Sequence, residues 1–172
     1  MRFRHLLLVG LALPALLFTP LGAGAQPDCF AAAPTEVGTP GNDTLIGTPN
    51  RDVIVGLGGN DALRGLGAND RLCGNSGNDD LRGGWDQDRL SGGPGRDEAS
   101  GSRGGDFLRG GPKGDSLEGG PQRDTVLGGR GHDLLSGGGG RDRLFGGPGG
   151  DVCFTDGKDV LRSCEEVLPA GE

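Results

Sequence analysis

The chain carries a strict nine-residue period, and this period constrains its fold more than any other feature. Starting at Gly38, the sequence divides into thirteen consecutive nine-residue blocks that end at Phe154, without insertion or deletion. The first position is Gly and the sixth is Asp in all thirteen blocks. Because chance does not keep a register over this length, the period predicts a repeat fold rather than a disordered chain.

The composition explains why the core must be narrow. The chain has 39 Gly among 172 residues and only 33% hydrophobic residues, which without a period would be typical of disorder. The glycines do not recur at every third residue, so a collagen helix is excluded. The eighth position is aliphatic in eleven blocks, with Ala99 and Cys153 as the exceptions. We predict that these side chains form the core: Leu45, Ile54, Leu63, Leu72, Leu81, Leu90, Leu108, Leu117, Val126, Leu135 and Leu144.

Each block has the pattern of one short strand and one turn. Positions 7 to 9 alternate outward, inward and outward, the period of a strand with one buried side chain. Positions 1 to 6 must then reverse the chain, which the flexible backbone of Gly permits. Two blocks make one coil of eighteen residues. The sequence therefore predicts an all-β fold, a parallel β-roll (a right-handed β-solenoid) of thirteen half-coils with a small disulfide-linked C-terminal cap.

The sixth-position aspartates would line the two edges of this roll. Stacked coils lie about 4.8 Å apart, so unpaired carboxylates would repel one another along each edge. A hard cation between turns reverses that repulsion, and Ca²⁺ suits it because it takes six to eight oxygens and mixes carboxylates with backbone carbonyls. We expect several Ca²⁺ ions, up to about eleven, one between each pair of like turns. The candidate ligands are Asp43, Asp61, Asp79, Asp97, Asp115, Asp133 and Asp151 on one edge and Asp52, Asp70, Asp88, Asp106, Asp124 and Asp142 on the other.

The block Gly-Gly-x-Gly-x-Asp-x-aliphatic-x resembles the repeats-in-toxin (RTX), or haemolysin-type, calcium-binding nonapeptide. The closest copies are GGPGRDEAS, GGRGHDLLS, GGGGRDRLF and GGPGGDVCF. The resemblance implies a parallel β-roll in which the sixth-position Asp and turn carbonyls hold calcium. The fourth position departs from Gly in several blocks, and at Lys113 and Gln122 a left-handed backbone is unfavourable. We therefore expect weakened sites near Asp115 and Asp124.

The N-terminus has the pattern of a secretory signal peptide. A basic start, an apolar run too short to span a bilayer, and an Ala-x-Ala end at Ala25 predict export and cleavage, and so a secreted, extracellular protein that is not transmembrane. The predicted organisation is a signal peptide at 1–25, an N-terminal lead at 26–37, the repeat roll at 38–154, and a C-terminal cap and tail at 155–172.

The four cysteines favour disulfides, because an even count is typical of exported proteins and their spacing fits no zinc pattern. Three pairings are possible. We favour Cys29–Cys73, which would pin the lead, and Cys153–Cys164, which closes a short loop.

Several function classes are disfavoured. The net charge of −7 argues against nucleic-acid binding. Neither H-E-x-x-H nor G-x-S-x-G occurs, and His132 lies at a variable turn position, so we predict that the protein is not an enzyme.

An adhesion or matrix module that is stiffened by calcium and binds a cell-surface or matrix partner remains an alternative function. An ice-binding solenoid is a weaker alternative, because the outward positions form no Thr ladder. We interpret the outward Arg64, Arg82 and Arg109 as charge balance and Trp85 as an exposed packed ring.

Overall fold

A computed structural model describes residues 32–170, and within them the chain forms sixteen strands and no helix, which confirms the all-β prediction. The strands form two parallel sheets of eight, and consecutive strands alternate between them. The odd sheet contains β1 Glu36–Val37, β3 Val53–Gly58, β5 Arg71–Ser76, β7 Arg89–Ser91, β9 Phe107–Pro112, β11 Thr125–Arg130, β13 Arg143–Phe145 and β15 Val160–Arg162. The even sheet contains β2 Thr44–Ile46, β4 Ala62–Leu66, β6 Asp80–Trp85, β8 Glu98–Arg103, β10 Ser116–Pro121, β12 Leu134–Gly139, β14 Val152–Thr155 and β16 Glu166–Pro169.

The strand register confirms that two blocks make one coil. Ile54 pairs with Leu72 and Leu72 with Leu90, so equivalent residues are eighteen apart along the odd sheet. The even sheet has the same spacing, as between Leu117 and Leu135. The fold is therefore a parallel β-solenoid of about seven turns.

The core is the predicted double row of eighth-position side chains. All eleven predicted aliphatic residues form one buried cluster, in which Ala99 and Cys153 take the two remaining places. Each member of this cluster comes from a different strand, β2 to β14, and its neighbours along the axis are the equivalent residues of the coils above and below. The core is thus thin, and the turns lie immediately beside it.

The strands are longer than the sequence predicts. Several run for six residues, through positions 7 to 9 of one block and positions 1 to 3 of the next, as in β8 and β10. The glycines at the start of a block pair across coils, as Gly120 does with Gly138 and Gly111 with Gly129. Only positions 4 to 6 are left to turn the chain, and the sixth-position Asp is the last turn residue before the next strand.

The sheets continue at both ends beyond the thirteen blocks. β1 pairs with β3 at the N-terminal end, while β15 and β16 extend the two sheets at the C-terminal end. The last coil is shortened, because β13 and β15 pair at a spacing of seventeen residues and β14 and β16 at fourteen. The predicted disulfide between Cys153 and Cys164 is present and ties β14 to this short coil.

The N-terminal predictions concern residues that the structure does not describe. The predicted signal peptide (1–25) lies outside the described residues, as does the first half of the lead, residues 26–31. Cys73 is disulfide-bonded, but Cys29, its predicted partner, is outside the described range. Within residues 32–170, no helix has the length and apolar character that a membrane span requires.

Candidate metal centre

All thirteen predicted aspartates lie in two rows, one along each edge of the solenoid. Each Asp ends a turn, and its carbonyl accepts a hydrogen bond from the first strand residue of the next coil, as Asp43 O does from Ala62 N at 2.9 Å. All but Asp43 are buried, with at most 6% of each residue exposed. The fold thus brings together along each edge the residues that the sequence predicts.

In eleven of the thirteen carboxylates, one oxygen is fixed by the backbone of the preceding coil. The N–H of each Asp donates to the Oδ1 of the Asp eighteen residues later, over 2.7–3.0 Å, in eleven successive pairs from Asp43–Asp61 to Asp133–Asp151. Neighbouring aspartates are therefore linked through side chain and backbone, which sets each carboxylate's orientation.

The second oxygen of most of these carboxylates has no donor. Eleven Oδ2 atoms are buried and accept no hydrogen bond from any described residue; they belong to Asp61, Asp70, Asp79, Asp88, Asp97, Asp106, Asp115, Asp124, Asp133, Asp142 and Asp151. An unpaired buried carboxylate oxygen is costly, and eleven of them in two rows require a common explanation.

The surroundings of these oxygens fit a hard cation. A side chain at Gly56, the first residue of its block, would approach both Asp61 Oδ2 and the carbonyl oxygen of Gly74 in the next coil, the latter at 2.8 Å. A similar carboxylate and carbonyl pair lies beside Gly128. Oxygen ligands of these two types are those that Ca²⁺ combines. No three His, Cys, Asp or Glu side chains converge within residues 32–170, so backbone carbonyls would have to complete any ligand set.

Burial alone makes these carboxylates poor anions. Desolvation raises the pKa of Asp70 and Asp79 to about 6 and that of Asp88 and Asp97 to about 7, although a backbone N–H donates to each. The neighbouring aspartates add a repulsive contribution in the same direction. Near neutral pH the rows therefore need protons or cations to be stable.

The first two turns are built differently. Thr39 donates its backbone N–H (2.6 Å) and its hydroxyl (2.9 Å) to Asp43 Oδ2, and Thr48 does the same for Asp52 at the same distances. Burial alone would raise the pKa of Asp52, but the donors on Thr48 outweigh it and the pKa lies below its ordinary value. In these turns the protein itself satisfies the oxygen that elsewhere lacks a donor.

The C-terminal coil also continues the acidic rows, which the nine-residue pattern does not reveal. Asp142 N donates to Asp159 Oδ1 at 3.0 Å, and Asp151 N donates to Glu165 Oε2 at 2.6 Å. The hydroxyl of Thr155 donates to Asp159 Oδ2 at 2.8 Å. The sequence signal for such a terminal turn is a Thr four residues before the Asp, a spacing shared by all three Thr–Asp pairs.

The irregular fourth positions keep the common geometry. Lys113 and Gln122 both adopt a φ of +84°, and the bonds to Asp115 Oδ1 and Asp124 Oδ1 remain at 2.9 and 2.7 Å. These turns therefore carry backbone strain without displacing the carboxylates.

Two other singled-out side chains have local roles. His132 is exposed, and its Nδ1 lies 3.1 Å from both the N and the O of Gly150. Trp85 is exposed and its ring lies 4.3 Å from the guanidinium of Arg103, a cation–π contact.

Comparison with known families agrees with this geometry. A family model described as RTX calcium-binding nonapeptide repeat (4 copies) matches residues 37–72, 65–99, 100–135, 118–153 and 131–159. Together these matches span residues 37–159, which is more than half of the chain. A search of curated proteins finds no match.

Proposed function

The chain belongs to the family of RTX calcium-binding nonapeptide-repeat proteins, and from this premise we propose that it is an exported, non-catalytic protein whose β-roll folds as it binds Ca²⁺. The observation that carries the proposal is the set of eleven buried Oδ2 atoms without donors. A fold that orders so many unpaired carboxylate oxygens is stable only when something positive meets them.

The residues divide into two groups by their donors. The eleven aspartates with unpaired Oδ2 atoms would hold the ions, together with carbonyls such as that of Gly74, in up to about eleven inter-turn spaces. Bound Ca²⁺ would supply the positive charge that the rows lack. Asp43 and Asp52 belong to the same rows, but Thr39 and Thr48 already occupy their Oδ2 atoms, so we expect these two to contribute least.

A calcium titration of the metal-free protein tests the folding claim. We expect far-UV circular dichroism to show little β-structure without metal and a cooperative gain of β-structure on addition of Ca²⁺. Mg²⁺ should produce little β-structure, because it demands octahedral geometry and keeps its waters. A β-signal that stays the same from chelator to about 10 mM Ca²⁺ contradicts the proposal, because this range covers even weak extracellular sites.

A matched pair of variants tests which carboxylates bind. Asp97→Asn removes the charge of a carboxylate whose buried Oδ2 has no donor. Asp43→Asn also removes one carboxylate charge, but Thr39 already donates to the Oδ2 of Asp43. We expect isothermal titration calorimetry to show a loss of sites in Asp97→Asn and an unchanged number in Asp43→Asn. Equal losses would contradict the division into two groups.

Export is supported by the sequence pattern at 1–25 and by the disulfides. Cys153–Cys164 is formed and Cys73 is disulfide-bonded, which is typical of oxidising compartments. Mass spectrometry of protein collected outside the producing cells should find a mature N-terminus at Gln26. Retention of an intact Met1 inside the cells would contradict export.

A second candidate function, a surface-binding module stiffened by calcium, uses the same roll. It is favoured by the uneven distribution of arginines, because five line the groove on one edge of the solenoid and one lines the groove on the other edge.

A further inference from the structure

Two grooves follow the two edges of the solenoid, and they differ in charge although they are built alike. Both are lined by positions 5 to 7 of successive blocks, with volumes of about 450 Å³ on the odd edge and about 580 Å³ on the even edge. Outside the aspartate rows, the charged side chains of the even groove are Arg96, Asp80 and Glu98. Those of the odd groove are all arginines: Arg51, Arg71, Arg89, Arg123 and Arg143.

The strand register aligns three of these arginines, Arg71, Arg89 and Arg143, along the solenoid axis. Arg71 pairs with Arg89, Arg89 with Phe107, Phe107 with Thr125, and Thr125 with Arg143. One outward side chain is thus presented per coil, about 4.8 Å apart, with a half-buried aromatic ring at the centre of the row. Positive charge repeated along a line matches an extended polymer better than a compact ligand.

Among residues 32–170, the guanidinium groups of the odd groove have no ion-pair partner. Arg71 is half-buried and the other four are exposed. The ion pairs found among residues 32–170 are Arg82–Asp80 and Lys158–Asp156, and neither lies in this groove. The groove also touches Asp70, Asp88 and Asp106, but these residues are only 1–3% exposed, and their Oδ2 atoms lie against first-position glycines. The groove therefore presents arginine to solvent.

We propose that the odd-edge groove is a binding site for an acidic polysaccharide. Arginine recognises carboxylates and sulfates through paired N–H donors, and the amide side chains of Asn69 and Gln87 beside the row can bond sugar hydroxyls. A single-stranded nucleic acid fits less well, because such sites repeat aromatic platforms along the strand, and Phe107 is the only aromatic side chain among the described residues that line this groove.

The test compares the calcium-loaded full chain on two polymers with the same backbone, dextran sulfate and unmodified dextran. We expect binding to dextran sulfate that weakens with added salt, and no binding to dextran. Carboxymethyl dextran distinguishes a sulfate from a carboxylate preference. Tighter binding to oligo(dT) than to either acidic dextran, or no binding to both acidic dextrans, overturns the proposal.

Charge-matched variants locate the site. Arg71→Gln/Arg89→Gln/Arg143→Gln removes three charges from the odd groove, and we expect the affinity for dextran sulfate to fall about tenfold. The control, Arg64→Gln/Arg82→Gln/Arg96→Gln, removes three charges from the even side and should bind within about twofold of the parent. Circular dichroism with Ca²⁺ checks that both variants fold. Equal losses in the two variants, or no loss in the first, overturn the assignment.

Discussion

At the scale of the residue, glycine is required for two different reasons, and the structure separates them. At the first position of a block the Asp carboxylate lies where a side chain would be. A Cβ on Gly137 would stand 2.7 Å from Asp142 Cβ and 2.9 Å from Asp142 Cγ. Two residues later, a Cβ added to Gly139 would have no heavy atom within 4 Å, and Gly139 does not have a left-handed φ. The first position, which is Gly in every block, therefore leaves no room for a side chain, whereas the third position, which varies between blocks, leaves open space.

This contrast predicts opposite effects of one substitution. Gly137→Ala should lower the free energy of unfolding by about 2 kcal/mol or more, because Asp142 must move. Gly139→Ala should be neutral or stabilising by up to about 1 kcal/mol, because it only restricts the unfolded chain. Thermal melts in excess Ca²⁺ measure both. Similar losses in the two variants would show that the close approach at Gly137 is not what makes glycine necessary.

Glycine is also favoured where the backbone is left-handed, and at Lys113 a residue with a Cβ occupies such a position. Lys113 has a φ of +84° and an exposed side chain. Lys113→Gly should therefore raise the free energy of unfolding by about 1 kcal/mol, the strain relieved less the entropy that glycine adds to the unfolded chain. Lys113→Ala is the control, since it removes the same charge but keeps a Cβ. A gain in Lys113→Ala equal to that in Lys113→Gly would assign the effect to charge instead.

At the scale of the element, the terminal turns replace the missing donor with a threonine. Thr48→Val keeps the shape of the side chain but removes the hydroxyl bonded to Asp52 Oδ2, so we expect a loss of about 1 kcal/mol. Thr44→Val is the control, because Thr44 is an exposed strand residue near the same end. Denaturant unfolding in Ca²⁺ measures both, and an equal effect of the two substitutions would show that the Thr48 hydroxyl does not stabilise its turn.

The elements also show how far the sequence alone can lead. The eighth-position core and the eighteen-residue coil follow from periodicity, because every coil repeats the same environment and one block predicts all others. The length of the strands does not follow from periodicity, since nothing in the residues around Gly120 shows that it pairs with Gly138 of the next coil. The acceptors Asp159 and Glu165 were missed because the shortened last coil breaks the period that exposes the other acids. Thr39 and Thr48 do carry a sequence signal, because each stands four residues before an Asp. In the nine-residue pattern, however, each is only a second-position residue that is not Gly.

At the scale of the whole molecule, the two acidic rows dominate the electrostatics and link folding to pH. The free side chain of Asp has a pKa of 3.8, whereas burial raises the folded-state pKa to about 6 for Asp70 and about 7 for Asp88, Asp115 and Asp124. Between these values the folded chain binds more protons than the unfolded chain. The free energy of unfolding must then decrease as pH rises through the folded-state pKa values, and increase as pH falls toward 4.

Metal-free protein should therefore gain β-structure and thermal stability when the pH is lowered from about 8 to about 5.5. In excess Ca²⁺ the dependence should reverse, because the ions bind the deprotonated carboxylates and protons compete with them. Thermal melts followed by circular dichroism at both pH values, with and without Ca²⁺, measure the two slopes. Slopes of the same sign would mean that protons and Ca²⁺ do not share the eleven buried oxygens, and the aspartate rows would then need another counterion.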